Sequence, residues 1–233
     1  MTTAATPRRG PGRPRGAVSG ETRDLALDVA ARLFGVSGYR GTSLADVAQA
    51  AGLSNAGLLH HFPSKQHLLI EVLRRRDEVD RAAFRFAQTT DTSDETVWNQ
   101  LDSLVELSRT NSERPGMVKL YTTVSGEAID ADHPAHGWLR DHLGAAIEEL
   151  YDAFEAGKVL GIVRPDAPSA SLARSVIALL DGLQIQWLAA RGRADGSSAE
   201  APAARTIDID EMSRDVKVFV DGLRALWQLP AAG

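Results

Sequence analysis

Residues 51–65 read AGLSNAGLLHHFPSK, and the fold turns on what this stretch is. Gly52 is suited to ending a helix, because glycine reaches the left-handed backbone conformation without a Cβ clash. Ser54 is suited to capping the next helix, since its hydroxyl can accept one of the unpaired N–H groups of the first turn. A connection of about four residues with a glycine in it has the form of a helix-turn-helix joint. The spacing predicts a third helix from about Asn55 to His61, with Pro63 barring a smooth continuation. Leu58 and Phe62, one helical turn apart, form its inner face with Leu53 from the turn. Asn55, Ala56, Leu59 and His60 lie largely on the other face.

The adjacent histidines raise a metal site as one reading. Neighbours on a helix point about 100° apart, whereas helical chelators sit at i, i+3 or i, i+4, so the pair is a poor chelator. A helix that follows a tight turn and presents small polar residues is instead what a DNA major groove accepts. His61, between the two faces, suits either core or contact.

The flanks agree. Upstream, GTSLADVAQAAG (41–52) predicts a short second helix, capped by Thr42 or Ser43, with Ser43 and Asp46 spaced as a capping box. Its inner face is Leu44, Val47 and Ala48. A first helix is expected from Glu21, with Leu25, Val29 and Leu33 inward and Asp24, Asp28 and Arg32 outward, ending at Gly38. Downstream, Ser64 caps a long fourth helix with an apolar stripe of Leu68, Leu69, Val72, Val79, Ala83 and Phe86. Further helical segments are expected near 95–111, 116–130, 135–157, 168–191 and 208–229. Pro115, Pro134, Pro165 and Pro168 stand at or just before their starts. The Gly-, Ala- and Ser-rich stretch 191–205 reads as a mobile connection. With no strand run and no repeat, the fold class is all-α.

Composition narrows the function. The 233 residues contain no cysteine, which excludes disulfides and cysteine–zinc sites and makes a reducing, cytoplasmic location the expectation. No apolar run approaches the roughly 18 residues of a membrane span, and the N-terminus has no apolar core of a secretory signal. The overall charge of −5 conceals an asymmetry: residues 1–76 carry +6 and the remainder −11. A basic head on an acidic body suggests an anionic partner for the head.

The stretch LFGVSGYRGTSLADVAQAAGLSNAGLLHHFPSKQHLL (33–69) resembles the DNA-binding domain of the TetR family of transcriptional repressors. It has the Gly-Tyr-x-Gly-Thr-Ser opening, the Ala-Asp-Val-Ala helix, the Ala-Gly-Leu-Ser turn, and His-Phe followed by Ser-Lys. The resemblance implies a three-helix DNA-binding domain at 20–66, joined by a long helix to a helical effector-binding and dimerisation domain at 67–233. It also implies a homodimer paired through the 168–191 and 208–229 helices on a palindromic operator in double-stranded DNA. Carried over by position, the residues facing DNA are Thr42, Ser43, Ser54, Asn55, Ala56, Gly57, Leu59, His60, His61 and Lys65. Two positions depart from the family pattern. Asn55 stands where many members have a basic residue. Leu59 stands where tyrosine is common, and it cannot give a phosphate the hydrogen bond that tyrosine would.

Between Gly41 and Ser64 there is no lysine or arginine, although phosphate neutralisation supplies most non-specific affinity for DNA. The missing charge lies next door. RRGPGRPRG (8–16) carries Arg8, Arg9, Arg13 and Arg15 on a Pro/Gly chain, and its Gly-Arg-Pro resembles an AT-hook core. Residues 1–19 therefore read as a disordered basic arm whose arginines suit an A·T minor groove, with an inert tail as the alternative.

The acidic body shows no catalytic constellation, so a sensor is expected rather than an enzyme, with no cofactor. SVIALLDGLQIQWLAA (175–190) is apolar nearly all round and is expected to be buried on several sides, interrupted by Asp181, Gln184 and Gln186. Trp98, Tyr121, Trp138, Asp181 and Gln184 are the candidate walls of a pocket for a small, mostly apolar effector with a donor for Asp181. Asp132, His133, His136 and His142 allow a metal cluster, but Pro134 and a helix start between two of the histidines favour a structural role. Met212, Val216, Phe219, Val220, Leu223 and Trp227 form one apolar face on the final helix, expected to pair with its copy. The rival reading is a non-sensing architectural protein that coats A·T-rich DNA.

Overall fold

The computed structural model describes residues 15–88, 97–194 and 211–230, with side chains placed at 20–81, 97–191 and 211–230. Among these residues there are nine helices: α1 Arg15–Ser37, α2 Leu44–Ala50, α3 Asn55–His61, α4 Lys65–Gln88, α5 Val97–Ser112, α6 Pro115–Glu127, α7 His136–Val159, α8 Ser169–Ala194 and α9 Glu211–Trp227. The only extended pairing among them is an isolated bridge between Val163 and Gln228. The fold is all-α, as expected. No described helix is long and apolar enough to cross a membrane.

The opening of the chain corrects one expectation. α1 starts at Arg15, so residues 15–19, assigned to the disordered arm, are helical. Arg8, Arg9 and Arg13, with the rest of 1–14, lie outside the described residues, as does most of the connection at 191–205.

The joint forms as its residues dictate. Gly52 has φ +67°, a conformation that side chains with a Cβ rarely adopt. Ser43 accepts the Asp46 N–H at 3.1 Å while Asp46 accepts the Ser43 N–H at 2.8 Å, completing the capping box. Ser54 accepts the Gly57 N–H at 3.0 Å and Ser64 that of His67 at 3.0 Å.

Two helix faces differ from the expected ones. On α1, Leu25 is half exposed, and Ala26, Leu27, Ala30 and Phe34 face inward with Val29. On α4, Val79 is exposed, and Leu73 takes its place beside Leu68, Leu69 and Val72. The side chains of Ala83 and Phe86 lie outside the described set.

The core of the head does not stop at its own helices. Phe34, Val47, Leu58, Phe62 and Leu69 cluster with Leu120, Val124, Ala135 and Leu139, so α6 and the start of α7 complete the head. A boundary at 66/67 is therefore not a break in packing. α1 and α6 cross very closely at Gly35, where an added Cβ would stand 2.6 Å from the Gly116 carbonyl oxygen. Beside the crossing, Lys119 Nζ donates to the Val36 carbonyl at 3.4 Å. A second core joins Trp98, Leu101, Phe154, Val176, Val216 and Val220 in the body.

Candidate nucleic-acid interface and body cavity

α3 lies on the surface by its polar side. Ser54, Asn55, Ala56, Leu59 and His60 are exposed, Gly57 and His61 half-buried, and Leu58 and Phe62 fully buried. The two histidine rings meet edge-on with centroids 5.5 Å apart, and His61 also leans on Phe62. Among the described residues, no group of three His, Cys, Asp or Glu side chains is placed to share a metal ion.

Thr42 does not join this face. It is buried, and its hydroxyl donates to the Gly38 carbonyl at 3.0 Å, also lying 3.2 Å from the Leu33 carbonyl. It pins the end of α1 to the start of α2, so its side chain is not available to a phosphate. Ser43 is exposed, but its hydroxyl and N–H are both engaged with Asp46. Hydrogen bonds from the Ser43 side chain and backbone hold the Asp46 carboxyl below the usual carboxylate range. The first turn of α2 thus carries its own anion. Lys65 lies over the Tyr39 ring at 4.4 Å and reaches the Arg40 carbonyl at 3.5 Å.

In the body, α4, α5, α6, α7 and α8 enclose a cleft of about 1030 Å³, counted out to its open mouth. Leu104, Leu107, Leu150, Ile177 and Leu180 give it an apolar wall. The opposite wall is polar and knitted together. The Tyr121 hydroxyl donates to Asp181 Oδ1 at 3.1 Å. The Arg76 guanidinium lies 4.1 Å from the Tyr121 ring centroid and pairs with Asp77 at 3.3 Å and Asp80 at 3.2 Å. His142 Nδ1 is 3.2 Å from Asp77, and Trp138 donates its indole N–H to Asp77 at 2.9 Å while stacking on His142.

This network sets the ionisation of the wall. Burial alone would raise Asp77, but the His142 and Trp138 hydrogen bonds, with His142 and Arg76, leave it lowered. Burial wins at Asp80, which is raised despite Arg76 and Arg114. It wins at Asp181 too, which is raised despite the Tyr121 hydrogen bond. Burial and the neighbouring Asp181 charge push the Tyr121 phenol far above its ordinary value, so it stays a donor.

Residues 26–72 match the profile of the family described as bacterial regulatory proteins, tetR family. These residues span α2, α3 and the joint between them, together with the second half of α1 and the first turns of α4. Over these residues the chain carries the DNA-binding domain of the TetR family. The HTH-type transcriptional repressor KstR2 of Rhodococcus jostii (strain RHA1) is 34% identical over 125 residues, 54% of this chain. That match spans about half of the repressor, 51% of its length. A TetR transcriptional regulator from Chloroflexus aurantiacus J-10-FL shares the fold over 92% of this chain and 100% of its own, with TM-score 0.71 and 20% identity. A transcriptional regulator from Saccharomonospora viridis, solved in complex with choline, is 25% identical and covers 91% of this chain and 100% of its own, with TM-score 0.66.

Against the sequence expectations, the chain brings three of five pocket residues together: Tyr121, Asp181 and Gln184 line the cleft. Trp98 does not. It is buried against Phe154 in the second core, 6.4 Å between centroids. Trp138 stands behind the wall, hydrogen-bonded to Asp77 and stacked on His142. Arg76, Asp77, Asp80 and His142 were not anticipated there. A signal existed, since Asp77 continues the i, i+4 stripe of Leu69 and Leu73. In the DHPAH segment, His133 Nδ1 accepts the Ala135 N–H at 3.2 Å and His136 Nδ1 pairs with the Ala128 carbonyl at 2.9 Å. His133 also meets Tyr39 edge-on, so this segment braces the head.

The expected pairing face of α9 is already used. Met212, Val216, Val220 and Leu223 are buried within the protomer, and Phe219 and Trp227 pack on the same core. The apolar side chains left exposed are Val218 and Leu226 on α9 and Ile185 on α8. The 175–190 stretch is accordingly not buried all round: Ala178, Ile185, Gln186 and Ala189 face outward.

Proposed function

We propose that the protein is a cytoplasmic, homodimeric repressor that binds a palindromic operator through α3 and is released when a small, mostly apolar effector fills the body cleft. One observation carries the sensing half: α6 touches both sites. Tyr121 on α6 is part of the cleft's polar wall, and Gly116 and Lys119 on the same helix hold the end of α1. An effector that shifts Tyr121 moves the element that completes the head's core, which an architectural DNA-coating protein would not need. A ligand changes that equilibrium only by its differential affinity for the two arrangements.

Asn55, Ala56, Gly57, Leu59, His60 and His61 are the proposed base-facing set, with Ser43, Ser54, Lys65, the arm arginines Arg8, Arg9 and Arg13, and Arg15 at the start of α1 beside the phosphates or the minor groove. Val218, Leu226 and Ile185 are the proposed apolar core of the dimer contact between α8 and α9 and their copies. KstR2 is a repressor by name and the Saccharomonospora protein holds choline. The two set no common effector for this chain, and neither is an enzyme by name.

The test is operator binding by the full chain, with the operator found by genome-wide mapping of bound sites. A discrete palindrome is expected, and uniform coating of A·T-rich DNA would overturn the reading. His60→Ala should weaken specific binding by about 1–3 kcal/mol, the worth of one base contact. Asp181→Ala should impair release by the effector more than it impairs operator binding.

A further inference from the structure

The charges around the body cleft do not balance locally. Asp77 has Arg76 at 3.3 Å and His142 at 3.2 Å, and Asp80 has Arg76 at 3.2 Å and Arg114 at 3.9 Å. The exposed Arg81 and Glu149, also on the lining, offset each other. Asp181 remains. Among the described residues its one hydrogen-bond partner is the Tyr121 hydroxyl, on Oδ1, and the second carboxylate oxygen has none. No described Lys, Arg or His stands within ion-pair distance of it, because the nearby Arg76 and His142 are committed to Asp77. One turn further along α8, Gln184 lines the same wall, 8% exposed, and its buried Oε1 has no hydrogen-bond partner.

A half-buried carboxylate without a cation is costly, and a cation from outside relieves the cost. Building on the proposed effector cleft, we infer that its ligand is a protonated amine: an organic cation with at least one N–H seated against Asp181, and an apolar body along Leu104, Leu150, Ile177 and Leu180. The N–H matters because the aromatic faces that could hold a quaternary ammonium are taken. Arg76 covers Tyr121 at 4.1 Å, and His142 stacks on Trp138 at 5.1 Å between centroids. Binding must therefore come from charge-assisted hydrogen bonds rather than from an aromatic cage. Carboxylate ligands would add a fifth anion to a wall that already carries four.

Calorimetric titration of the full-length protein with hexylamine, 1-hexanol, hexanoate and hexyltrimethylammonium tests this. Hexylamine should bind on the order of 10- to 100-fold tighter than 1-hexanol, the usual worth of a hydrogen bond to a charged group. Asp181→Asn, which keeps shape and the Tyr121 hydrogen bond, should bring hexylamine to the level of the alcohol and leave the alcohol unchanged. Absence of hexylamine binding overturns the inference. So does equal binding of the alcohol, the carboxylate or the quaternary ion. Ala146→Phe, which fills the cleft from α7, separates the two levels. If it abolishes binding of a preferred alcohol or carboxylate, the cleft stands and only the ligand class is wrong. If it leaves all binding intact, the cleft is not the site.

Discussion

Gly35→Ala and Gly116→Ala alter the two sides of one helix crossing and should act with opposite sign. At Gly35 a Cβ would stand 2.6 Å from the Gly116 carbonyl oxygen, against the 3.4 Å where ordinary contact begins. The oxygen is backbone and cannot rotate aside, so α1 and α6 must part by about 0.8 Å. A gap of that size forfeits roughly a quarter to a half of each lost contact along the crossing. Overpacking of this kind costs about 1–3 kcal/mol, and the absence of a yielding neighbour places it in the upper half of that range. Alanine returns up to about 1 kcal/mol of helix propensity, leaving a net loss of about 1–2 kcal/mol. At 2–4 °C for each kcal/mol in a chain of this size, the melting temperature should fall by about 2–8 °C. A Cβ at Gly116 meets nothing within 4 Å, so that variant should melt at or slightly above the parent. The assay is thermal unfolding followed by circular dichroism at matched concentration. Gly35→Ala melting as high as Gly116→Ala would refute the close crossing.

Leu226→Glu, on an exposed position, should leave a folded protein that sediments as a monomer, whereas Phe219→Glu should unfold the body, because Phe219 packs on the protomer's own core. A folded Phe219→Glu monomer would return the interface to that face. Deleting residues 1–14 should flatten the slope of log affinity against log salt by about 3–4 units, if roughly two arginines engage per arm of the dimer. An unchanged slope in operator binding would make the arm an inert tail. Asp181 holds its proton more tightly folded than unfolded, so it costs stability as pH rises from the ordinary carboxylate range through its raised value. Asp181→Asn should thus gain in melting temperature over the parent across that window and keep the gain at neutral pH. A gain that shrinks as pH rises would contradict the burial argument.

Local signals carried much of the fold. α3 runs from Asn55 to His61 as read, because a cap and a proline bracket it and both act within a few residues. Thr42 shows where such reading ends. Two hydroxyls at one helix start look alike in sequence, and only the position of α1 sends Thr42 inward while Ser43 stays out. On α9, periodicity marks an apolar face but not what covers it. The cover proved to be α5 of the same chain. The cleft was half legible: Tyr121, Asp181 and Gln184 stood out as polar groups among apolar neighbours. Arg76, Asp77 and Asp80 looked like ordinary solvated helix charges, since pairing across four helices leaves no mark on local spacing. His142 was weighed only with the histidines of the DHPAH segment, which lie on the far side of Trp138 in the chain.

Asp46 closes its own helix with a carboxylate that stays ionised, in a recognition unit that has no lysine or arginine from 41 to 64. On the proposed reading this bears on how the operator is found. The helix-turn-helix itself then adds little hold on random duplex, and the arginines of the arm carry the sliding contact. Search along the chromosome and reading of the operator fall to different parts of the chain, so the first can weaken with salt while the order of preferred bases is kept.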